Sequence, residues 1–118
     1  MKRIYSIKSK DDLDLIFKEK KSEGNGYFVI YKSIHDNPHF KYAISIGKKY
    51  GNAVERNLAK RRIRYVISTH KDNIKSNYRF VIVVRQQAKK LSYQEIKENI
   101  TKLLYKAKII EKEERTNA

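Results

Sequence analysis

Residues 48–64, KKYGNAVERNLAKRRIR, constrain the structure of this chain more than any other stretch. The stretch contains one acidic residue, Glu55, and seven basic residues: Lys48, Lys49, Arg56, Lys60, Arg61, Arg62 and Arg64. Like charges four residues apart destabilise a helix by about 0.2–0.5 kcal/mol per pair. Because an ordinary solvated helix carries charges of both signs, this one-sided charge favours a docking face for phosphates.

The spacing of these cations predicts a helix with one basic face. At 100° per residue, Arg56, Lys60 and Arg64 lie on one ridge. Asn57 and Arg61 lie on the ridge beside it, so the face is about 140° wide. Apolar residues border it on both edges, with Val54, Leu58 and Tyr65 on one side and Ala59, Ile63 and Val66 on the other. Such a helix can pack on a core and still point its cations outward.

The composition of the whole chain also points to a polyanionic partner. The 118 residues carry a formal net charge of +15, and 40% of them are apolar, which suits one core and a single domain over residues 1–118. No apolar run approaches the roughly 20 residues of a transmembrane helix, and the N-terminus lacks the apolar segment of a signal peptide. Cysteine is absent, which excludes disulfides and thiolate zinc sites. We therefore expect a cytoplasmic protein with no membrane partner.

Hydrophobic periodicity predicts the order helix, two strands, helix, strand, helix, with room for one further short strand in the loops. The predicted helices cover residues 9–20, residues 51–70 and a segment that begins at Ser92, where Ser92 and Glu95 have the spacing of a capping box. The predicted strands cover residues 27–34, 39–47 and 80–84, and the last of them is a continuous apolar run, as expected of a strand covered on both faces. We expect the first two strands to form an antiparallel pair. The charged tail from about residue 111 is expected to fray. This pattern is typical of a small α/β protein, an α+β two-layer sandwich with helices packed on one sheet.

Catalytic and metal-binding constellations are not visible in the sequence. The three histidines lie near the ends of predicted elements, and the carboxylates cluster in the first helix, the last helix and the tail. No carboxylate falls on a predicted strand beside the basic face, and no phosphate-binding glycine loop is present. We therefore predict no catalytic residue and no protein-bound metal or cofactor, so any reaction takes its chemistry from a partner.

Aromatic residues suggest a second contact surface. The chain has 9 tyrosines, and alternate residues of the strand at 27–34 point to opposite faces, so that only one set is needed by the core. The other set can stack unpaired bases, each stack worth about 1–3 kcal/mol. A partly buried tyrosine with a solvated hydroxyl is an equally good interpretation for any single residue. The nearby basic helix favours Phe17 and Tyr31 as contacts for single-stranded RNA.

The basic stretch resembles the signature of the bacterial ribonuclease P protein component. The matching residues are Lys48, Lys49, Gly51, Asn52, Ala53, Val54, Arg56, Asn57, Lys60, Arg61 and Arg64. Phe17 and the segments 28–31, 43–46 and 80–85 match in the same order, so the resemblance spans nearly the whole chain. Leu58 departs from the pattern, because the family often has a third basic residue there. Leu13 replaces a position that is often aromatic, so we expect any stacking there to be weaker or purely apolar.

The resemblance implies the protein subunit of a ribonucleoprotein that removes the 5′ leader from precursor tRNA. The partner RNA would carry the catalytic site and the Mg²⁺ that the holoenzyme requires. The residues implied in contact with ribonuclease P RNA are Lys48, Lys49, Arg56, Asn57, Lys60, Arg61, Arg62 and Arg64. The cleft implied for the leader is formed by Leu13, Phe17, Val29, Tyr31 and Ser45. The family fold implies a mixed sheet, the order α-β-β-(β)-α-β-α and a left-handed β-α-β crossover around the basic helix, whereas about 98% of such crossovers are right-handed.

Three other functions fit parts of the pattern. A general or ribosomal RNA-binding protein with no associated reaction matches the charge and the tyrosines equally well, and only the signature separates it. A DNA-binding protein would need a helix-turn-helix pair, but a strand precedes the basic helix. A protein-only nuclease would need a carboxylate cluster for metal ions, and the sequence shows none beside the basic face.

Overall fold

The computed structural model describes residues 3–111 and contains three helices and four strands in that range. The elements are α1 (Lys10–Lys18), β1 (Ser22–Gly24), β2 (Phe28–Ile34), β3 (Lys41–Ile46), α2 (Ala53–Thr69), β4 (Tyr78–Val84) and α3 (Tyr93–Lys106). The predicted α+β class and element order are confirmed, and β1 is the short extra strand that the loops left room for. The charged tail predicted to fray lies outside the described residues.

The strands form one mixed sheet in the order β1-β2-β4-β3. β2 pairs antiparallel with β1 and β4, whereas β3 pairs parallel with β4. The prediction that β2 and β3 pair with each other is therefore wrong, because β4 lies between them and Ile82 is opposite both Ile30 and Ile44. The physical reason is burial: Phe80, Val81 and Ile82 are all buried, so β4 needs neighbours and cover on both sides.

β3, α2 and β4 make a parallel β-α-β crossover between adjacent strands. The connection carries the whole basic stretch from one strand to the next. The left-handed sense of this crossover stays a prediction from the family resemblance.

The main core lies between one face of the sheet and the two helices α2 and α3. Its largest fully buried side chains are Phe28, Ile30, Ile63, Ile67, Phe80, Ile82, Ile100 and Leu104. The capping box predicted at the start of α3 is present, with Ser92 accepting from the Glu95 amide and Glu95 accepting from the Ser92 amide. These two helices thus form the second layer of the predicted sandwich.

The opposite face of the sheet is only partly covered. α1 packs there over β2 and β4 with Ile16 fully buried, which adds a partial third layer to the two-layer arrangement. Ser33 donates a hydrogen bond of 2.8 Å to Glu19 just after the helix, which fixes that end of α1. The part of this face that belongs to β3 remains open, with Ser45 exposed.

Candidate nucleic-acid interface

The start of α2 is fixed by a capping box that the sequence analysis did not identify. The Asn52 side chain accepts a hydrogen bond of 2.9 Å from the Glu55 amide, and the Glu55 carboxylate accepts one of 2.9 Å from the Asn52 amide. The same carboxylate lies 3.1 Å from the Lys89 ammonium. The Asn52 amide, and then Lys89, lower the pKa of Glu55 below its ordinary value. The one acidic residue of the stretch therefore caps the start of α2. The spacing Asn-x-x-Glu in the sequence could have predicted this capping box.

Arg56 has a structural contact besides its place on the basic face. Its guanidinium donates a 2.6 Å hydrogen bond to the Gly51 carbonyl, and the side chain is half-buried. This bond ties the loop before α2 to the first turn of the helix. One of the guanidinium donors of Arg56 is therefore used within the protein. The other cations of the face make no side-chain hydrogen bond among residues 3–111.

The remaining predicted contacts lie along the outer surface of α2 and the turn before it. Lys48, Lys49, Asn57, Arg61 and Arg64 are exposed, and Lys60 and Arg62 are half-buried. None of these cations lies within ion-pair distance of a carboxylate in the part of the chain that the structure describes. Unpaired cations on one helix produce a concentrated positive potential. The structure thus brings the predicted RNA contacts together, with Arg62 set apart on the Tyr50 side of the helix.

A small polar cavity joins the basic face to the edge of the sheet. It has a volume of about 200 Å³ and is lined by Ser6, Ile7, Tyr42, Ala43, Ile44, Lys60 and Arg64. The N-terminal segment closes one side, because the Ile7 amide donates to the Tyr42 carbonyl at 3.0 Å. Burial raises the pKa of Tyr42, and the charge of Arg64 partly opposes that rise. Lys60 and Arg64 therefore stand above β3, the edge strand, with a cavity of suitable polarity for an anionic group between them.

The five residues predicted for the cleft share the opposite face of the sheet. Through the register of β4, Val29 lies opposite Val83, and Val83 lies opposite Ser45. Because alternate residues of a strand share a face, Tyr31 lies on this face as well. The Phe17 ring meets the Tyr31 ring edge-on, with 4.9 Å between centroids.

Leu13 precedes Phe17 by one helical turn, so both lie on the same side of α1. The side chains of Leu13, Phe17, Val29 and Tyr31 are all half-buried, and Ser45 is exposed. A half-buried apolar surface that opens toward β3 can receive flat, unpaired groups. The structure thus assembles the predicted residues, and their contact with a leader stays a prediction.

Sequence reasoning missed a cation in the same face. Arg79 of β4 lies opposite Ser33 and Lys41, two residues along from Val81. Its guanidinium contacts Asp12 at 3.2 Å, its side chain is 17% exposed, and its Nε has no hydrogen-bond partner among residues 3–111. The predicted strand began at residue 80, so Arg79 lay outside it, and only the observed strand from Tyr78 and the order of the sheet place Arg79 beside α1.

Two further features bear on the kinds of site present. Across residues 3–111, no group of three or more His, Asp or Glu side chains is placed to hold a metal ion. Within the same residues, no helix combines the length and apolar character needed to cross a membrane.

A cationic helix beside a half-open aromatic sheet face, in a small α+β fold, is typical of basic proteins of the nucleic-acid-binding class. The family model for ribonuclease P matches residues 1–108. The ribonuclease P protein component of Acholeplasma laidlawii is 72% identical over 113 residues, covering 96% of this chain and 97% of that protein. The protein component of Phytoplasma australiense is 41% identical over 111 residues, covering 93% of this chain and 96% of that protein.

Solved structures agree with the sequence relatives. The Staphylococcus aureus RNase P protein superposes with a TM-score of 0.84 at 35% identity, covering 91% of this chain and 98% of that one. The Thermotoga maritima RNase P protein superposes with a TM-score of 0.78 at 27% identity, covering 86% and 96%. The chain therefore belongs to the ribonuclease P protein component family, which confirms the resemblance seen in the signature. Ribonuclease P is a tRNA-processing endoribonuclease, and this chain is of the kind that forms its protein subunit.

Proposed function

We propose that this protein binds the catalytic RNA of ribonuclease P through α2 and the 5′ leader of precursor tRNA through the sheet cleft. It thereby assists the endonucleolytic removal of the leader that produces the mature 5′ end of tRNA. The observation that carries the proposal is the pair of unlike surfaces on either side of β3. One is a helix whose cations have no carboxylate partner within residues 3–111, and the other is a half-open face with Phe17 edge-on to Tyr31.

The α2 face suits a folded polyanion. Cations that neutralise phosphates release condensed counterions, so affinity falls with salt in proportion to the number of contacts. A catalytic RNA and its substrate repel each other, and a protein of net charge +15 between them lowers that repulsion. Mg²⁺ and the catalytic groups belong to the RNA in this proposal, and the side chains described here bind and position.

The cleft suits single-stranded RNA. Open bases of a leader can stack on aromatic rings, whereas the bases of a duplex are hidden from such contacts. Phe17 and Tyr31 offer the rings, and Val29 offers apolar contact beside them. At the other end of the face, the half-buried Lys41 of β3 is placed for a phosphate, while its neighbour Arg79 is paired with Asp12.

The deciding experiment is cleavage of a 5′-labelled precursor tRNA by a bacterial ribonuclease P RNA at low magnesium, with and without the protein. We expect faster cleavage at the mature 5′ end with the protein and no cleavage by the protein alone. Tight, salt-sensitive RNA binding without stimulation would instead identify a general RNA-binding protein. Cleavage by the protein alone would contradict the assignment of chemistry to the RNA.

A further inference from the structure

α2 carries a row of apolar side chains that the core does not use. Val54, Leu58 and Tyr65 are 77%, 41% and 62% exposed. At 100° per residue they lie within about 40° of one another, and we call them the α2 ridge. The apolar residues that do pack into the core lie on another side of the helix: Ala59, Ile63, Val66 and Ile67. The α2 ridge therefore faces solvent along about 16 Å of helix.

Guanidinium groups flank the α2 ridge on both sides. By the same helical rotation, Arg61 lies about 20° beyond Val54, and Arg62 lies about 40° beyond Leu58. Neither arginine pairs with a carboxylate in residues 3–111. The ridge is thus an apolar strip inside a cationic surface.

The Tyr65 ring is oriented by its neighbour on α3. Its centroid lies 6.0 Å from that of Tyr93, with 52° between the ring planes. Tyr93 is half-buried, and its buried hydroxyl has no hydrogen-bond partner in the described part of the chain. A ring supported on one side and exposed on the other loses little conformational entropy when it binds a flat group.

The chemistry of the surroundings selects the occupant. An apolar protein partner would have to desolvate Arg61 and Arg62 without neutralising them, which is costly. A regular RNA duplex offers phosphates but hides its bases. The occupant must both neutralise the two arginines and contact the apolar strip. An unpaired nucleotide does both, because its base stacks on an aromatic or apolar side chain while the flanking phosphates meet the guanidinium groups. The family often has a cation at the position of Leu58. In this chain an apolar side chain stands there instead, which extends the surface on which a base can stack.

We propose that the α2 ridge receives an unpaired base of the ribonuclease P RNA, stacked on Tyr65, with the adjoining phosphates on Arg61 and Arg62. This inference rests on the proposed function, and it adds a base contact to a surface otherwise defined by charge.

The first test compares binding of ribonuclease P RNA across a salt series for the wild type, Tyr65→Ala and Tyr65→Phe. We expect Tyr65→Ala to weaken binding about 5- to 150-fold, the range for one lost stack, and Tyr65→Phe to bind like the wild type. The slope of log Kd against log salt should stay unchanged, since no phosphate contact is lost. Ile34→Ala is the matched control, because Ile34 is 60% exposed on β2, away from α2, and should bind like the wild type.

The second test reads the RNA directly with base-reactive and backbone-reactive chemical probes. We expect the wild type to protect an unpaired base that becomes reactive again with Tyr65→Ala, while the backbone protection remains. Equal binding by Tyr65→Ala and the wild type, or protection that does not depend on Tyr65, overturns the inference. If the wild type still stimulates leader removal in that case, the proposed function stands. If the wild type fails to bind the RNA, both are wrong.

Discussion

The two candidate RNA surfaces are built in opposite ways. The basic face of α2 comes from one continuous stretch, and its geometry follows from helical rotation alone. The cleft gathers Leu13 and Phe17 from α1, Val29 and Tyr31 from β2, and Ser45 from β3, and only the register through β4 brings them together. Charge dominates the first surface and apolar contact the second. Removing cations from α2 should therefore alter the salt dependence of RNA binding, and changes in the cleft should alter discrimination between substrates.

The largest expected effect comes from removing two cations of α2. Arg61→Ala combined with Arg64→Ala should weaken association with ribonuclease P RNA about tenfold or more per residue, because each loses a charged hydrogen bond. The salt slope should fall by about one unit per lost phosphate contact. Titrations at several salt concentrations measure both quantities.

A matched control for that variant is Lys102→Ala with Lys106→Ala, two exposed lysines on α3 that carry the same change in net charge. The preference for precursor over mature tRNA should stay intact in both double variants. If the dependence of binding on salt is unchanged in the α2 variant, Arg61 and Arg64 do not contact the RNA. The proposal that charge dominates the α2 surface would then be contradicted.

Phe17→Ala tests the other surface. It should weaken binding of precursor tRNA about 5- to 150-fold, as expected for one lost base stack, and leave binding of mature tRNA unchanged. Leu15→Ala on the same helix, at a side chain that is 49% exposed, is the control and should change neither. Equal weakening of both substrates would show that Phe17 supports the fold and that the leader does not lie against it.

Gly51→Ala probes how far the α2 surface depends on its first turn. A Cβ at this position would clash with the Glu55 carboxylate and push it off the cap, whereas a Cβ at Gly47 meets nothing within 4 Å. We expect Gly51→Ala to lower the midpoint of thermal unfolding by a few degrees and Gly47→Ala to lower it less.

The same variant has a defined dependence on pH. The pKa of Glu55 is lowered in the folded protein, so its contribution to stability is present above its ordinary value of 4.5 and is lost as the pH falls through the lower, folded value. The difference between the wild type and Gly51→Ala should therefore shrink in acid. A difference that stays constant down to low pH would show that the cap is not its cause.

The smallest expected effect lies at the far end of α2. His70 is hydrogen-bonded to the Thr101 hydroxyl at 2.8 Å, and burial, together with the charge of Lys97, lowers its pKa. The unfolded chain then binds more protons below the ordinary value of 6.5, so the free energy of unfolding should rise with pH up to about that value. Urea denaturation between pH 5 and 8 should show this rise in the wild type and a weaker one in His70→Gln. Identical profiles would exclude His70 as its source.

The contrast between the surfaces also explains what the sequence could predict. The helical placement of the basic face, the α3 capping box and the apolar run of β4 depend on residues within a few positions of each other, and all three predictions are confirmed. The pairing of β2 with β3 was wrong, because chain order favours a hairpin and only the burial of β4 places it between them. Arg79 was missed for the same reason, since its position beside Asp12 exists only in the assembled sheet.

The α2 ridge was visible as a pattern but not as a surface. Val54, Leu58 and Tyr65 border the basic face just as Ala59, Ile63 and Val66 do, and periodicity does not say which border meets the core. In the folded chain Ala59 and Ile63 are buried in the core, so Tyr65, on another side of the helix, is left in solvent.

β3 has one more property. Ile44 and Ser45 are adjacent in the chain but point to opposite faces, and Ile44 lines the cavity under Lys60 and Arg64 while Ser45 borders the cleft. The two surfaces are thus separated by the thickness of a single strand, with no hinge between them. Two RNA strands, one bound to each surface, would therefore be held at a fixed distance from each other. The number of nucleotides between the cleft and the catalytic RNA would then be set by the protein backbone, and a substrate would have to match it.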